Sequence, residues 1–173
     1  MNDTLAILTE LSNRYGGDPN FVLAGGGNTS AKNEATLWVK PSGVALATIT
    51  AEQFLPMERT KLHAMLTQHY PADPAAREAQ VKDAMLAAVC AGHTGRPSVE
   101  AVLHNMFETT LVVHTHPALV NGMTCAQDGA RVCATLFPGA LWIPYTDPGY
   151  VLSTVVQAEI ARHTKKHGAA PSV

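Results

Sequence analysis

Thr110-Leu111-Val112-Val113-His114-Thr115-His116-Pro117 decides how this chain is read. The apolar run before the histidines reads as a buried strand, and in a strand residues i and i+2 point to one face. Both imidazoles therefore emerge on the same side at a strand end, where a divalent metal could take both. Structural sites with four Cys/His ligands rarely use this spacing, whereas catalytic zinc with an open position suits it. Two polar residues capping a strand is the competing reading, and the neighbouring sequence decides between them.

Upstream stands Ser98-Val99-Glu100, before the helical run Ala101-Val102-Leu103-His104-Asn105-Met106-Phe107. Pro97 and Ser98 read as a helix start with Ser98 as N-cap. Glu100 then falls in the first turn, where a carboxylate also suits the helix dipole. A turn at Glu108-Thr109 feeds the histidine strand. A short helix antiparallel to that strand would return the strand's far end to the helix start and bring Glu100 towards His114 and His116. A carboxylate there can ligate a metal or act as a general base.

Nearer the amino terminus, Ala24-Gly25-Gly26-Gly27-Asn28-Thr29-Ser30 offers a backbone free to take positive φ, with N–H groups and hydroxyls suited to an anion. It has neither the Gly-Lys-Ser/Thr ending of a Walker loop nor G-x-G-x-x-G spacing, and a plain Gly-rich hairpin is the alternative. Pro41-Ser42-Gly43 adds a second turn with a hydroxyl and an expected free N–H.

In this order Gly27-Asn28-Thr29-Ser30, Ser42-Gly43, Ser98-Val99-Glu100 and His114-Thr115-His116 resemble the class II aldolase/adducin family. The resemblance runs from about Leu5 to the chain end. The wording is most similar to the aldolase portion of bifunctional rhamnulose-1-phosphate aldolase/short-chain dehydrogenase proteins. It implies that His114 and His116 ligate zinc, with Glu100 as catalytic acid/base able to touch the metal. It also implies that Gly27, Asn28, Ser42, Gly43 and Ser98 hold a substrate phosphate. Val99 stands where some members carry a second serine, which removes one hydroxyl from that site. The family's third zinc histidine lies well after H-x-H, on a hydrophobic strand. Here Pro171-Ser172-Val173 resembles the opening of that strand, so residues 1–173 are read as a single domain whose C-terminal part is missing. His163 and His167 read as a basic helix end and His104 as a buried residue.

The chain has 173 residues, 46% of them hydrophobic, and a formal net charge of −2, enough for a sizeable core. It holds no run of eighteen apolar residues and its first residues lack a secretion signal. Arg131 is the one Lys or Arg from Ser98 to Tyr150, a poor basis for a nucleic-acid groove. Cys90, Cys125 and Cys133 lack C-x-x-C spacing and suit reduced thiols. The expectation is a cytoplasmic protein with neither a membrane nor a nucleic-acid partner.

Helices are expected over Thr4–Tyr15, Pro74–Val89, the Glu100 segment, Ala118–Ala126, Arg131–Phe137 and Val151–His167. Strands are expected at Phe21–Leu23, Ser30–Lys32, Thr36–Lys40, Ala45–Ile49, the histidine run and Leu141–Ile143. Pro56 is expected to break any helix over Ala51–His63. Hairpin-length connections favour antiparallel neighbours with helices on both faces. The resemblance implies the same α/β fold, a three-layer α/β/α sandwich on a largely antiparallel sheet, and a homotetramer.

The function expected is a zinc-dependent lyase cleaving a phosphorylated ketose such as rhamnulose or fuculose 1-phosphate. The alternatives are a sugar-phosphate epimerase or dehydratase of the same family, or an adducin-like interaction domain, which would have no need of a ligand triad. A Schiff-base route would fall to Lys32 or Lys40, and the sequence shows no device for lowering either pKa.

Overall fold

A computed structural model describes residues 2–171. Its first helix, α1 (Asn2–Gly16), buries Leu8 and Ser12 completely. Ser12 Oγ lies 2.7 Å from Thr29 Oγ1, and Asn13 Nδ2 donates to the carbonyls of Leu46 and Ile49. At the helix end a Cβ on Gly16 would come within 2.4 Å of the Ala47 nitrogen, so only glycine lets the two segments close.

Four strands form one antiparallel sheet in the order β3-β2-β1-β4: β1 (Asn28–Lys32), β2 (Thr36–Val39), β3 (Leu55–Glu58) and β4 (Leu111–His114). The register sorts the side chains. Ser30 pairs with Val39 and Val112, while Ala31 pairs with Trp38 and Leu111. Alternation therefore sets Asn28, Ser30, Leu37, Val39 and His114 on one face, and Thr29, Ala31, Trp38, Leu111 and Val113 on the other.

Each face has its own apolar cluster. Leu37, Val39 and Met57 pack with Leu62 and Met65 of α2 (Arg59–Met65), Val81 and Met85 of α3 (Pro74–Ala87), and Ala101 and Val102 of α4 (Ala101–Met106). Ala31 packs with Leu8, Ile49 and Phe54 on the opposite side. Burying one such Leu or Ile contributes roughly 1.5–3 kcal/mol. Asp73 caps α3 by accepting from the Ala76 amide at 2.8 Å, with Pro74 opening the helix. α5 (Ala118–Thr124), α6 (Gly129–Leu136) and α7 (Tyr150–His167) follow β4.

Several elements differ from the sequence reading. Ala45–Ile49 is no strand: Leu46–Thr48 form a 3₁₀ turn, and the two buried residues, Leu46 and Ile49, are three apart as such a turn requires. Leu55–Glu58 is a strand with Pro56 inside it, tolerated because β3 ends the four-strand order and the missing N–H falls on its outer side, where a short bridge to residues 88–90 pairs with it. Residues 21–23 lie in a turn region and 141–143 outside any strand. Ser172 and Val173, read as part of an opening strand, lie outside the described residues.

Candidate metal and substrate site

α4 and β4 form a helix–strand hairpin whose open end is the site. Glu100 occupies the cap position of α4, two places earlier in the helix than a Ser98 cap would put it. Ser98 does not cap the helix; its Oγ accepts from the Glu100 amide at 3.2 Å in a tight turn before it. Running antiparallel, β4 brings His114 back to that turn. His116 follows, its amide donating to the Phe21 carbonyl at 2.9 Å.

Donor atoms of Glu100, His114 and His116 lie within 4.8 Å of one another. The Nε2 atoms of His114 and His116 face each other at 3.0 Å. Two nitrogens so placed need a proton or a cation between them. Their spacing is close to the ~3.3 Å between two ligand nitrogens on a tetrahedral zinc, so the donor set fits a divalent metal. Glu100 Oε2 stands 3.4 Å from His114 Nδ1, at the ring nitrogen away from His116. The contact is not a hydrogen bond, and Nδ1 has no other partner among the described residues. A carboxylate oxygen of Glu100 lies within 4.8 Å of ligand nitrogens on both histidines, in reach of a metal they could share. Among the described residues, His104, His163 and His167 do not join this cluster.

Asn28, opposite His114 in the β1–β4 pairing, supports the carboxylate. Its Nδ2 donates to Ser98 Oγ at 2.5 Å and to Glu100 Oε2 at 3.3 Å. Asn28 and Ser98 are both buried, whereas Ser42 and Gly43 are exposed. The Ser42 N–H is not free, as the sequence had suggested, because it donates to the Arg96 carbonyl at 3.0 Å. Gly27 takes φ 72, and a Cβ there would come within 2.8 Å of the His114 carbonyl. Its glycine thus serves close approach of the loop to β4. Gly25 meets nothing.

Burial pushes the Glu100 carboxyl up. The contact with His114, the charges of His114 and His104, and the Asn28 amide outweigh it and hold the group at about 2. Burial above all, then the charge of His114, holds His104 down to about 3 against the pull of Glu100. His116 is lowered by burial and by His114. The lysines correct the sequence reading: burial, with Arg59, brings Lys32 down to about 8, and burial lowers Lys40 against the opposing charge of Glu100. Neither invites a substrate carbonyl, since both are buried with Nζ bound to the Thr109 and Val44 carbonyls. Lys40 nonetheless places a buried cation within electrostatic range of Glu100. Its adjacency to Pro41-Ser42-Gly43 was the available signal for that.

Residues 8–170 match the family described as Class II Aldolase and Adducin N-terminal domain. The chain belongs to this family. It is 28% identical over 174 residues to the uncharacterized oxidoreductase YuxG of Bacillus subtilis (strain 168), covering 91% of this chain and 24% of that protein. The chain thus spans about a quarter of that relative's length. The N-terminal class II aldolase domain of a conserved protein from Thermoplasma acidophilum superposes with TM-score 0.75 at 26% identity, over 87% of this chain and 73% of that one. L-fuculose-1-phosphate aldolase from Thermus thermophilus aligns more loosely, with TM-score 0.47 and 16% identity over 96% of this chain and 74% of that one. Among the described residues no helix is long and apolar enough to cross a membrane.

Proposed function

We propose that this chain is the lyase part of a metal-dependent aldolase that cleaves a phosphorylated ketose, with zinc as its metal. The observation that carries this reading is the convergence of Glu100, His114 and His116 from two different elements, backed by Asn28 and Ser98. A metal held by His114 and His116, with Glu100 in reach, supplies Lewis-acid stabilisation of the negative charge that develops on the ketone fragment. Ionised at neutral pH, Glu100 takes a proton from the carbon beside the carbonyl in the condensing direction and returns it in cleavage. Ser42 and Gly43 at the rim, with Gly27, Asn28 and Ser98 behind, would hold the phosphate so that binding energy fixes the reacting carbons.

The finer expectations belong to the same proposal: the sheet as the middle of three layers, four-fold assembly and a cytoplasmic setting. The apolar clusters on both sheet faces support the layering. We read the oxidoreductase name of the B. subtilis relative as describing the part of it that this chain does not span.

The test is aldol cleavage by the full gene product on rhamnulose, fuculose and ribulose phosphates, with metal content measured beside it. His114→Ala and His116→Ala should each lose most bound zinc and most turnover. Epimerisation or dehydration in place of cleavage would shift the assignment to those chemistries; full metal content in both variants would remove it.

A further inference from the structure

His104 is an unusual residue for its place. It is fully buried on α4, where Ala101 and Val102 make the apolar contacts. Its Nδ1 lies 2.8 Å from Ser30 Oγ on β1, and its Nε2 is buried with no partner. A leucine facing an alanine at position 30 would fill the space with no orphaned polar atom, which a buried site disfavours. The histidine therefore serves something other than packing.

Its location shows what. The His104 amide donates to the Glu100 carbonyl at 2.9 Å, one helical turn below the carboxylate. Its ring centroid is 6.0 Å from that of His114. Ser30 lies two residues from Asn28 on the same face of β1. The His104–Ser30 bond thus joins the helix that presents Glu100 to the strand that presents Asn28, directly beneath the His114 ring. Asn105 repeats the device beside it, accepting from Arg59 Nε at 2.9 Å. Polar bonds, which have one geometry, hold this short helix where apolar contacts alone would let it slide.

We propose that His104, bonded to Ser30, is a positioning residue that fixes the spacing between Glu100 and the His114–His116 pair. It touches neither substrate nor metal. The inference rests on the metal-site reading above, so its test includes a measurement independent of that reading.

Three variants of the full chain decide it: His104→Asn, which keeps a polar group at the Nδ1 position; His104→Leu; and the pair His104→Leu/Ser30→Ala, which removes both polar partners together. The pair should recover the thermal midpoint lost by His104→Leu. Its zinc affinity, measured by competition with a chromophoric chelator, should still be weaker by about tenfold or more, the scale for groups that orient metal ligands. Its kcat should fall more than KM rises, and His104→Asn should restore most of both. Recovery of zinc affinity and kcat along with stability in the pair would make His104 merely structural and overturn the proposal. If the unmodified chain binds no zinc, the metal reading fails by itself. The imidazole ¹⁵N shifts of His114 and His116, recorded with EDTA, then decide: movement in the stable pair supports the proposal, and unchanged shifts overturn it.

Discussion

Asn28→Asp is a change of one group, an amide nitrogen for an oxygen, and the structure predicts a changed pH slope of stability from it. Asn28 Nδ2 donates to Glu100 Oε2 at 3.3 Å from a position only 2% exposed. In the variant two carboxylate oxygens would face each other there. At an effective dielectric of about 20 their repulsion is about 5 kcal/mol, and the lost charged hydrogen bond adds roughly 1.5 kcal/mol. A folded chain escapes most of this by keeping one proton on the pair, which raises one carboxyl's pKa by up to roughly 3–4 units. A group raised in the fold stabilises below its unfolded pKa, and that contribution disappears as pH rises through the folded value. Asn28→Asp should therefore gain stability relative to the unmodified chain as pH falls from 7 to 5. The unmodified chain loses stability as pH falls. His104, held at about 3 in the fold, favours unfolding as pH falls below the ordinary histidine value, and Glu100, held at about 2, adds to this below pH 4.5. Urea unfolding of metal-free protein at pH 7, 6 and 5 measures both slopes. Parallel slopes for the two proteins would refute the Asn28–Glu100 contact.

Glu100→Gln should leave the fold and much of the substrate affinity intact while turnover falls roughly 10²-fold or more, the scale of a general acid/base; turnover near that of the unmodified chain would leave Glu100 only its place at the helix start. Gly27→Ala should destabilise by about 1–3 kcal/mol, because a side chain at φ 72 is strained and its Cβ would press on the His114 carbonyl; thermal melts check this, and an unchanged midpoint would show that the loop has room. Ser42→Ala should raise KM for a sugar phosphate far more than for the free sugar, since the exposed hydroxyl is what this turn still offers an anion; equal changes would remove it from the phosphate site.

The helix–strand hairpin was legible because its signals are local. A continuous apolar run ends in His114 and His116, and Pro97-Ser98 announces the preceding helix, although its cap is Glu100 and not Ser98. Antiparallel return then follows from the short connection. Pro56 misled because proline forbids a helix interior and a central strand alike, and nothing local says that Leu55–Glu58 lies at a sheet edge. Ala45–Ile49 has a strand's composition, but Asn13 of a distant helix takes up the carbonyls of Leu46 and Ile49. The triple glycine announced a backbone free to take positive φ, which Gly27 does, but that its missing side chain makes room for the backbone of a strand far along the chain was not legible. The lysine pKa values were illegible for the same reason: burial belongs to the tertiary structure, not to Lys32 or Lys40.

The histidine strand is the outer strand of the described sheet, bonded to β1 on one side. The Lys32 amide bonds the Thr110 carbonyl, and the alternation of an antiparallel ladder then turns the amides of Val112 and His114 inward and those of Leu111 and Val113 outward. Half of that strand's amide protons are left open to solvent exchange, and Leu111 at its start is the residue of the strand that packs against an apolar cluster, so local opening of the His114 end comes first. A metal bridging His114 and His116 would close that weak margin, so deuterium uptake along residues 111–116 gives a direct gauge of metal occupancy.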